Sequence, residues 1–255
     1  MSNDQFIEAI TIGDIDTVRL LSNDPTIDLS TDDYNWFIML ASENGHTEVV
    51  RLLLNDDRVD PTVDDNFAIR WASRNGHTEV VRLLLSDPRV NPGAKSNYSI
   101  RFASSYGHTE IVRLLLSDPR VDPSTHKNYA IRLASSSGHT EVVKLLLADP
   151  RVDPTDDDNY AIKWATEKGH TKVVQLLFQH GVEPQNNKQK TIQHNLVRDQ
   201  MMPLNLLDMD NEGTSKVGGL PSLMMTEIFE KLYPNMSTYD LYELSASLAE
   251  SVSKL

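Results

Sequence analysis

A short segment beginning with Gly-His-Thr recurs five times along the chain at a constant spacing of 31 residues. Its glycines are Gly45, Gly76, Gly107, Gly138 and Gly169. A weaker copy begins at Gly13, 32 residues before the first of them. Five matches at one fixed period do not arise by chance, and such self-similarity is the signature of a repeat protein. The chain is therefore expected to fold as a series of equivalent units.

Each period contains two short helical patterns and a loop. In residues 66–73 the apolar side chains lie three and four positions apart, as on one face of a helix. Gly76 ends this first helix, because glycine is the usual residue just past a helix C-terminus. Thr78 or its neighbour is expected to cap a second, strongly apolar helix over residues 79–85. Residues 86–88 end this helix, and residues 89–96 then form a polar loop with turn residues.

One such unit is too small to fold alone. Its few large apolar side chains cannot offset the conformational entropy lost when 31 residues become ordered. Neighbouring units must therefore stack and bury both sides of each helix pair. This stacking predicts a solenoid in which each unit contacts only the units before and after it.

The second half of each period resembles the ankyrin repeat, whose second helix carries the pattern G-H-x-x-V-V-x-x-L-L. In the first half, segments such as 67–70 and 98–101 stand where ankyrin repeats have T-P-L-H. The loop is also shorter than in that family, so its hairpin finger is expected to be reduced or irregular. The resemblance covers residues 4–200, as an N-terminal capping repeat, five 31-residue units and a closing half-repeat. It implies an all-α, ankyrin-type helical solenoid of about five to six helix-pair repeats, plus a small C-terminal helical segment.

The charge balance and the hydropathy of the chain argue against several partner classes. Acidic residues outnumber basic ones, 37 to 24, for a net charge of −13, whereas proteins that bind nucleic acid are normally basic. No apolar run approaches the roughly 20 residues of a membrane span. The N-terminus lacks the basic and apolar stretches of a signal peptide. We expect a cytoplasmic protein with no nucleic-acid and no membrane partner.

No sequence feature indicates catalysis or metal binding. The chain has no cysteine, which excludes disulfides, thiolate zinc sites and a cysteine nucleophile. It also lacks a nucleophile-elbow, P-loop or zincin motif. Five of the eight histidines occupy the Gly-His position, but equivalent helices in a stack lie about 8–10 Å apart, too far for one metal ion to gather them. We expect a non-enzyme without cofactor or metal, in which each of these histidines bonds the neighbouring turn.

Three columns of basic residues follow the same period. The first column consists of Arg51, Arg82, Arg113 and Lys144. It is expected to form surface ion pairs with glutamates three residues earlier. The second column consists of Arg70, Arg101, Arg132 and Lys163. It starts the first helices, where it either faces the groove and binds an acidic segment or bonds neighbouring loops. The third column, expected to connect successive loops, consists of Arg58, Arg89, Arg120 and Arg151.

Positions that differ between units indicate where a partner would bind, because solenoids meet their ligands through loops and helix ends on one face. These positions include an aromatic slot in the first helices and the ends of the same helices. Neutral variation at exposed sites accounts for the same pattern, and the aromatic slot also fits simple core packing. The residues predicted to form this repeat face are Arg70, Trp71, Arg101, Phe102, Tyr106, Arg132, Lys163 and Trp164.

The composition of the chain changes after residue 200. Residues 201–219 have the turn-rich character of a linker. Residues 220–255 contain two amphipathic helical patterns separated by Pro234. Two such helices are too small to form a core unaided, so their apolar faces must dock on the repeats, on each other or on another protein.

The C-terminal segment resembles the opening of an F-box, with Leu220-Pro221 followed by Ile228-Phe229 and then Asp240-Leu241. Its position after ankyrin repeats is similar to that in viral ankyrin/F-box (PRANC-type) proteins, which would place the chain in a host cytoplasm. The resemblance implies a Skp-type adaptor of a cullin ubiquitin ligase as partner. The residues implied to contact it are Leu220, Pro221, Met224, Ile228, Phe229, Leu232, Leu241 and Leu244. The alternative is a plain ankyrin scaffold or inhibitor whose C-terminal helices only cap the stack.

Overall fold

The structure is a computed structural model, and it describes residues 3–24 and 30–205. In these residues the chain forms thirteen α-helices and no strands, which confirms the predicted all-α class. The helices are α1 (Asn3–Ile12), α2 (Ile15–Ser22), α3 (Thr31–Asn44), α4 (Thr47–Leu54), α5 (Val63–Asn75), α6 (Thr78–Ser86), α7 (Ala94–Tyr106), α8 (Thr109–Leu116), α9 (Thr125–Ser137), α10 (Thr140–Leu147), α11 (Asp156–Glu167), α12 (Thr171–Gln179) and α13 (Asn187–Asn205).

The chain divides into two compact units between Asp157 and Asp158. In the first unit α1 to α10 form five helix pairs, in which successive first helices contact one another and successive second helices do the same. This arrangement is the predicted helical solenoid. The second unit holds most of α11 together with α12 and α13. Helix α13 continues to Asn205, past the position where the sequence analysis ends the repeats, and residues 206–255 lie outside the described part of the chain.

The core of the first unit repeats with the sequence. In the pair α5 and α6 the fully buried side chains include Ile69, Ala72, Val81 and Leu84. Burying a side chain of the size of valine, leucine or isoleucine contributes about 1.5–3 kcal/mol. Small side chains are among the most deeply buried of α5: Ala72 and the adjacent Ser73 are both 0 % exposed.

The Gly-His junction joins the two helices of each pair. In the pair α5 and α6, Gly76 has a left-handed backbone with φ of 85°, and His77 N–H then bonds the Ala72 carbonyl at 3.0 Å. The sequence analysis expects Thr78 or its neighbour to cap the second helix. His77 takes the N-cap position, but its side chain makes no capping hydrogen bond, because the imidazole bonds the preceding repeat instead.

A left-handed turn opens four of the first helices, and the sequence analysis did not anticipate it. In α5 the residues Asp64, Asp65 and Asn66 all have positive φ, between 47° and 62°. Equivalent triplets lie in α7, α9 and α11, at residues 95–97, 126–128 and 157–159. Three consecutive non-glycine residues in this region are costly, since each L-residue loses about 1–2 kcal/mol there. The turn must therefore be held by interactions with the rest of the repeat.

The third residue of each triplet explains how the turn is held. It is an asparagine, a residue type that tolerates the left-handed region, and Asn66, Asn97 and Asn128 are at most 8 % exposed. Their Oδ1 atoms accept hydrogen bonds from backbone N–H groups of the following loop, 25 residues ahead, at 2.6–2.9 Å. Asn35 makes the same contact with Asp60 N–H at 2.7 Å. This asparagine ladder fixes each loop against the preceding turn.

Candidate protein-binding surface

One side of the first helices stays partly open to solvent. Phe67 and Trp71 in α5, and Tyr98 and Phe102 in α7, are half-buried. Each of these pairs is spaced four residues apart and so lies on one side of its helix. We call this surface the first-helix face, and it consists of Trp36, Leu40, Phe67, Trp71, Arg74, Tyr98, Arg101, Phe102, Tyr106, Tyr129, Arg132 and Leu133.

Aromatic rings on the first-helix face are ordered by stacking. The ring centroids of Tyr98 and Phe102 are 4.0 Å apart, and those of Phe67 and Trp71 are 5.2 Å apart. Trp36 is 42 % exposed and Tyr106 is 49 % exposed, which makes them the most open rings on this surface. Stacked rings lose little further conformational freedom when a partner covers them.

Arg74 lies at the centre of this aromatic cluster. Its guanidinium carbon is 4.5 Å from the Trp71 ring centroid and within 6 Å of the Phe102 and Tyr106 rings. It also donates a hydrogen bond of 3.4 Å to the Tyr106 hydroxyl. These contacts connect α5 with α7 and hold a cation among aromatic side chains.

The second basic column has a structural task that neither sequence interpretation described. Arg70 is 8 % exposed, and its guanidinium donates to the Asp64 and Asp65 carbonyls at 2.7 and 3.0 Å. It therefore holds the left-handed turn at the start of its own helix. Arg132 also bonds its own turn, and in addition it pairs with Asp157 of the next turn at 2.6 Å. Only the Asp157 contact matches the expected bond to a neighbouring loop.

The predicted binding residues are only partly brought together. Arg101, Phe102 and Tyr106 lie in α7, beside Arg70 and Trp71 of α5. Arg132 lies in α9, which contacts α7.

Two further predicted residues lie in the second unit, and the predicted adaptor contacts are not described. Lys163 and Trp164 belong to α11, where the Tyr160 and Trp164 ring centroids are 5.5 Å apart. The predicted adaptor contacts from Leu220 to Leu244 lie outside the described residues.

The sequence analysis missed several residues of the first-helix face. Arg74 and an aromatic column, Trp36, Phe67, Tyr98 and Tyr129, stand with the predicted residues. A signal was present, because each member of the column precedes the aromatic slot by four residues and therefore shares its side of the helix.

The Gly-His histidines connect successive repeats, as predicted. The Nε2 atoms of His46, His77, His108 and His139 lie 2.8–3.0 Å from carbonyl oxygens near the end of the preceding first helix. Because a carbonyl only accepts, Nε2 carries the proton in each contact. Each bonded imidazole fills the space beside the glycine of the preceding repeat, as His77 does beside Gly45. These histidines therefore have a structural role.

Arg89, Arg120 and Arg151 of the third basic column connect successive loops, as predicted, while the equivalent acceptor position for Arg58, residue 28, lies outside the described residues. Arg120 forms a two-pronged contact with Asp118 at 2.6 and 2.9 Å and donates to the Val90 carbonyl of the preceding loop at 2.7 Å. Arg89 and Arg151 make equivalent contacts with the loops before them. The hydrogen bonds from Arg120 lower the pKa of the Asp118 carboxyl below its ordinary value of 3.8. Asp56, Asp87 and Asp149 have lowered pKa values for the same reason.

These lowered pKa values predict how stability depends on pH. The folded-state pKa of Asp118 lies below the unfolded value, so its contribution is complete above about pH 5 and is lost as the pH falls through the folded value. We expect the free energy of unfolding to fall below about pH 5, and the Asp118→Asn variant to show a shallower decline. Urea titrations at several pH values measure both. An Asp118→Asn slope equal to that of the native chain would contradict the assignment.

Three of the four residues of the first basic column form the expected pairs on the second helices, whereas in the described part of the chain Lys144 is not within ion-pair distance of Glu141. Arg51, Arg82 and Arg113 lie 3.3–3.5 Å from the glutamates three residues earlier. Both partners of each pair are more than half exposed, so the pairs add little stability. This surface differs from the first-helix face in having charged rather than aromatic side chains.

Within residues 3–24 and 30–205, no cluster of three or more histidine, aspartate or glutamate side chains is arranged to hold a metal ion. None of the described helices combines the length and the apolar character that a membrane span requires.

Comparison with known proteins agrees with the geometry of the repeats. A family model described as ankyrin repeats, three copies, matches residues 6–96 and again residues 100–190. A search of curated proteins found no significant match. The two matched ranges cover more than half of the chain. The chain therefore belongs to the ankyrin-repeat family, whose repeats are protein–protein interaction modules.

Proposed function

We propose that this chain is an adaptor that binds a target protein through the first-helix face and recruits a ubiquitin ligase through its C-terminal segment. The observation that carries the first part is the cluster of half-buried aromatic rings around Arg74. Tryptophan, tyrosine and arginine are the residues that most often dominate binding energy at protein interfaces. The proposed target site therefore has the composition of an interface hot spot.

The scaffold beneath this surface supports the proposal. Ile69, Ala72 and Ser73 on the opposite side of α5 are fully buried, and the histidine and asparagine ladders fix each repeat to the one before it. A rigid backbone presents the rings in one arrangement, so little conformational entropy is lost on binding. Lys163 and Trp164 of α11 belong to the same proposed binding set by their positions in the repeat.

The ligase part of the proposal depends on the sequence motif. Leu220-Pro221, Met224, Ile228-Phe229 and Leu232 have the F-box spacing, and Leu241 and Leu244 continue the apolar stripe. A Skp-type adaptor of a cullin ubiquitin ligase would cover these side chains. The competing function is a scaffold or inhibitor that acts by occupying its partner, with the C-terminal helices docked on the repeats.

The target site is tested by affinity capture from cell extract with mass spectrometry. We expect the Trp71→Ala/Phe102→Ala variant to lose at least about tenfold in recovery of its specific partners, the loss expected on truncating two interface hot spots. An Arg82→Ala/Arg113→Ala variant, altered on the second helices, serves as matched control and should keep them. Circular dichroism confirms that both variants fold. Unchanged recovery by the Trp71→Ala/Phe102→Ala variant would exclude this surface as the target site.

The ligase part is tested by direct binding of a purified Skp-type adaptor. We expect the intact chain to bind it, and the Ile228→Asp variant and a truncation after residue 218 to lose binding. Absence of binding by the intact chain would refute ligase recruitment. A marked fall in unfolding temperature on truncation, with no adaptor binding, would favour the scaffold or inhibitor function.

A further inference from the structure

One position in the left-handed turn changes its charge from repeat to repeat. The first residue of the triplet is Asp64 in α5, Lys95 in α7, His126 in α9 and Asp157 in α11. The two outer turns therefore supply a carboxylate at this position, and the two central turns do not. The arginines of the second basic column lie beside these turns, so the change in charge alters their electrostatic environment.

Arg70 and Arg132 each pair with one of these carboxylates. Arg70 Nη2 is 3.6 Å from Asp64 Oδ2, in the turn of its own helix. Arg132 Nη2 is 2.6 Å from Asp157 Oδ2, in the turn of the next repeat. Both guanidinium groups are thus neutralised from within the chain.

Arg101 lacks either arrangement. The residue equivalent to Asp64 is Lys95, and the residue one period before Asp157 is His126. Across residues 3–24 and 30–205, no carboxylate lies within ion-pair distance of the Arg101 guanidinium, which donates to the Lys95 carbonyl at 3.0 Å. The nearby ammonium groups are already paired, Lys95 with Asp65 and Lys127 with Asp157. Among the three arginines of this column, and within the described residues, Arg101 is the one whose charge stays unbalanced.

The surroundings of Arg101 make this imbalance costly. The residue is half-buried, and its Nε atom is buried without a hydrogen-bond partner. The rings of Tyr98, Phe102 and Tyr129 lie within 6.0 Å of its guanidinium carbon. Burial lowers the pKa of Arg101 from its ordinary value. A desolvated cation among aromatic rings gains more from an incoming anion than an exposed one does.

We infer that the partner of the first-helix face supplies a carboxylate to Arg101, from an aspartate or glutamate flanked by apolar side chains. The carboxylate complements the unbalanced guanidinium, and the flanking apolar groups cover Tyr98, Phe102 and Tyr129. This inference rests on the proposed target-binding role of the same surface. It identifies the chemistry of the partner segment, a short acidic and apolar stretch of a protein.

A substitution that adds a carboxylate to the chain tests the inference without removing Arg101. His126→Asp places an acid one period before Asp157, so it should pair with Arg101 as Asp157 pairs with Arg132. Aspartate already adopts the left-handed backbone at Asp64 and Asp157, so the variant is expected to fold. Arg101→Gln removes the cation instead, and Arg113→Gln on the second helices is the matched control.

The probe is a library of random peptides displayed on phage and selected on the full-length chain. We expect the selected peptides to be enriched in aspartate or glutamate beside leucine, phenylalanine or tryptophan. Their affinity should fall by about tenfold or more on the His126→Asp and Arg101→Gln chains and stay unchanged on the Arg113→Gln chain. Isothermal titration with synthetic copies of the peptides measures these changes.

Two contrary results have different meanings. The inference would be overturned if the binding of the selected peptides depended on Trp71 and Phe102 but the peptides showed no enrichment in acidic residues. It would also be overturned if they bound the His126→Asp chain as tightly as the native chain. Either result would leave the proposed target site intact. Peptides whose affinity is unaffected by Trp71→Ala/Phe102→Ala would overturn the proposed binding surface, and the inference with it.

Discussion

Replacing Gly107 by alanine is expected to lower the free energy of unfolding by about 2–3 kcal/mol. Gly107 has a φ of +78°, where an L-residue loses about 1–2 kcal/mol. An added Cβ would also lie 2.6 Å from Nδ1 of His139. The imidazole would have to move and give up its bond to the Ser105 carbonyl, which contributes about 1 kcal/mol.

The chain provides its own control for this substitution. Gly169 has the same φ of +78°, but no atom of the described residues lies within 4 Å of the position of an added Cβ. Gly169→Ala should therefore carry the backbone cost alone, about 1–2 kcal/mol. Urea denaturation followed by circular dichroism measures both variants. Equal losses at Gly107 and Gly169 would show that the histidine contact adds nothing to the interface between repeats.

Replacing Asn97 by alanine is expected to lower the free energy of unfolding by about 2–3 kcal/mol for two separable reasons. The Asp122 N–H loses the Asn97 Oδ1 acceptor at 2.8 Å, a part-buried hydrogen bond that contributes about 1 kcal/mol. Alanine also tolerates the φ of 59° less well than asparagine does.

Glycine at the same position separates the two contributions. Asn97→Gly removes the acceptor and relieves the backbone cost, so its loss of stability should be smaller than that of Asn97→Ala. The comparison uses the same urea titrations, with hydrogen exchange at the Asp122 amide as a local readout. If alanine and glycine gave identical stabilities, the left-handed backbone would carry no measurable cost at this turn.

The repeat architecture was predictable because it depends on patterns that are local in sequence. The fixed Gly-His spacing, the helix pairs and the columns of Arg120 and Arg113 each follow from residue type and separation along the chain. The histidine contacts were predictable as well, since a metal ion cannot gather groups spaced by a repeat. In each case a short-range rule determined the outcome.

The left-handed turns were not predictable, because their stability comes from contacts distant in sequence. The triplets 64–66, 95–97 and 126–128 share only their asparagine, and no local propensity favours three such residues in succession. Arg70, Arg101 and Arg132 each donate to the turn of their own helix, and these bonds compensate the backbone cost together with the bonds to loops 25 residues ahead. The arginine side chains of the second basic column point toward these turns, so the burial of Arg70 could not be inferred from the sequence.

The first-helix face was only partly predictable for a related reason. Trp71 and Phe102 were identified from their variation between units, whereas Phe67 and Tyr98 were not. Residues on both sides of a first helix are apolar, so residue type alone does not show which side the neighbouring helices cover. The contacts between successive first helices decide it.

Three ladders that join the repeats have the same polarity: the histidines, the third basic column and the asparagines. The histidine donors, the arginine donors of the third column and the loop N–H groups that bond asparagine belong to the later repeat, and their acceptors belong to the earlier one. During synthesis on the ribosome the acceptors emerge first and can already be in place when the donors follow. Each newly made repeat can then dock on a finished template, so the stack can grow in the direction of translation without awaiting its C-terminal end.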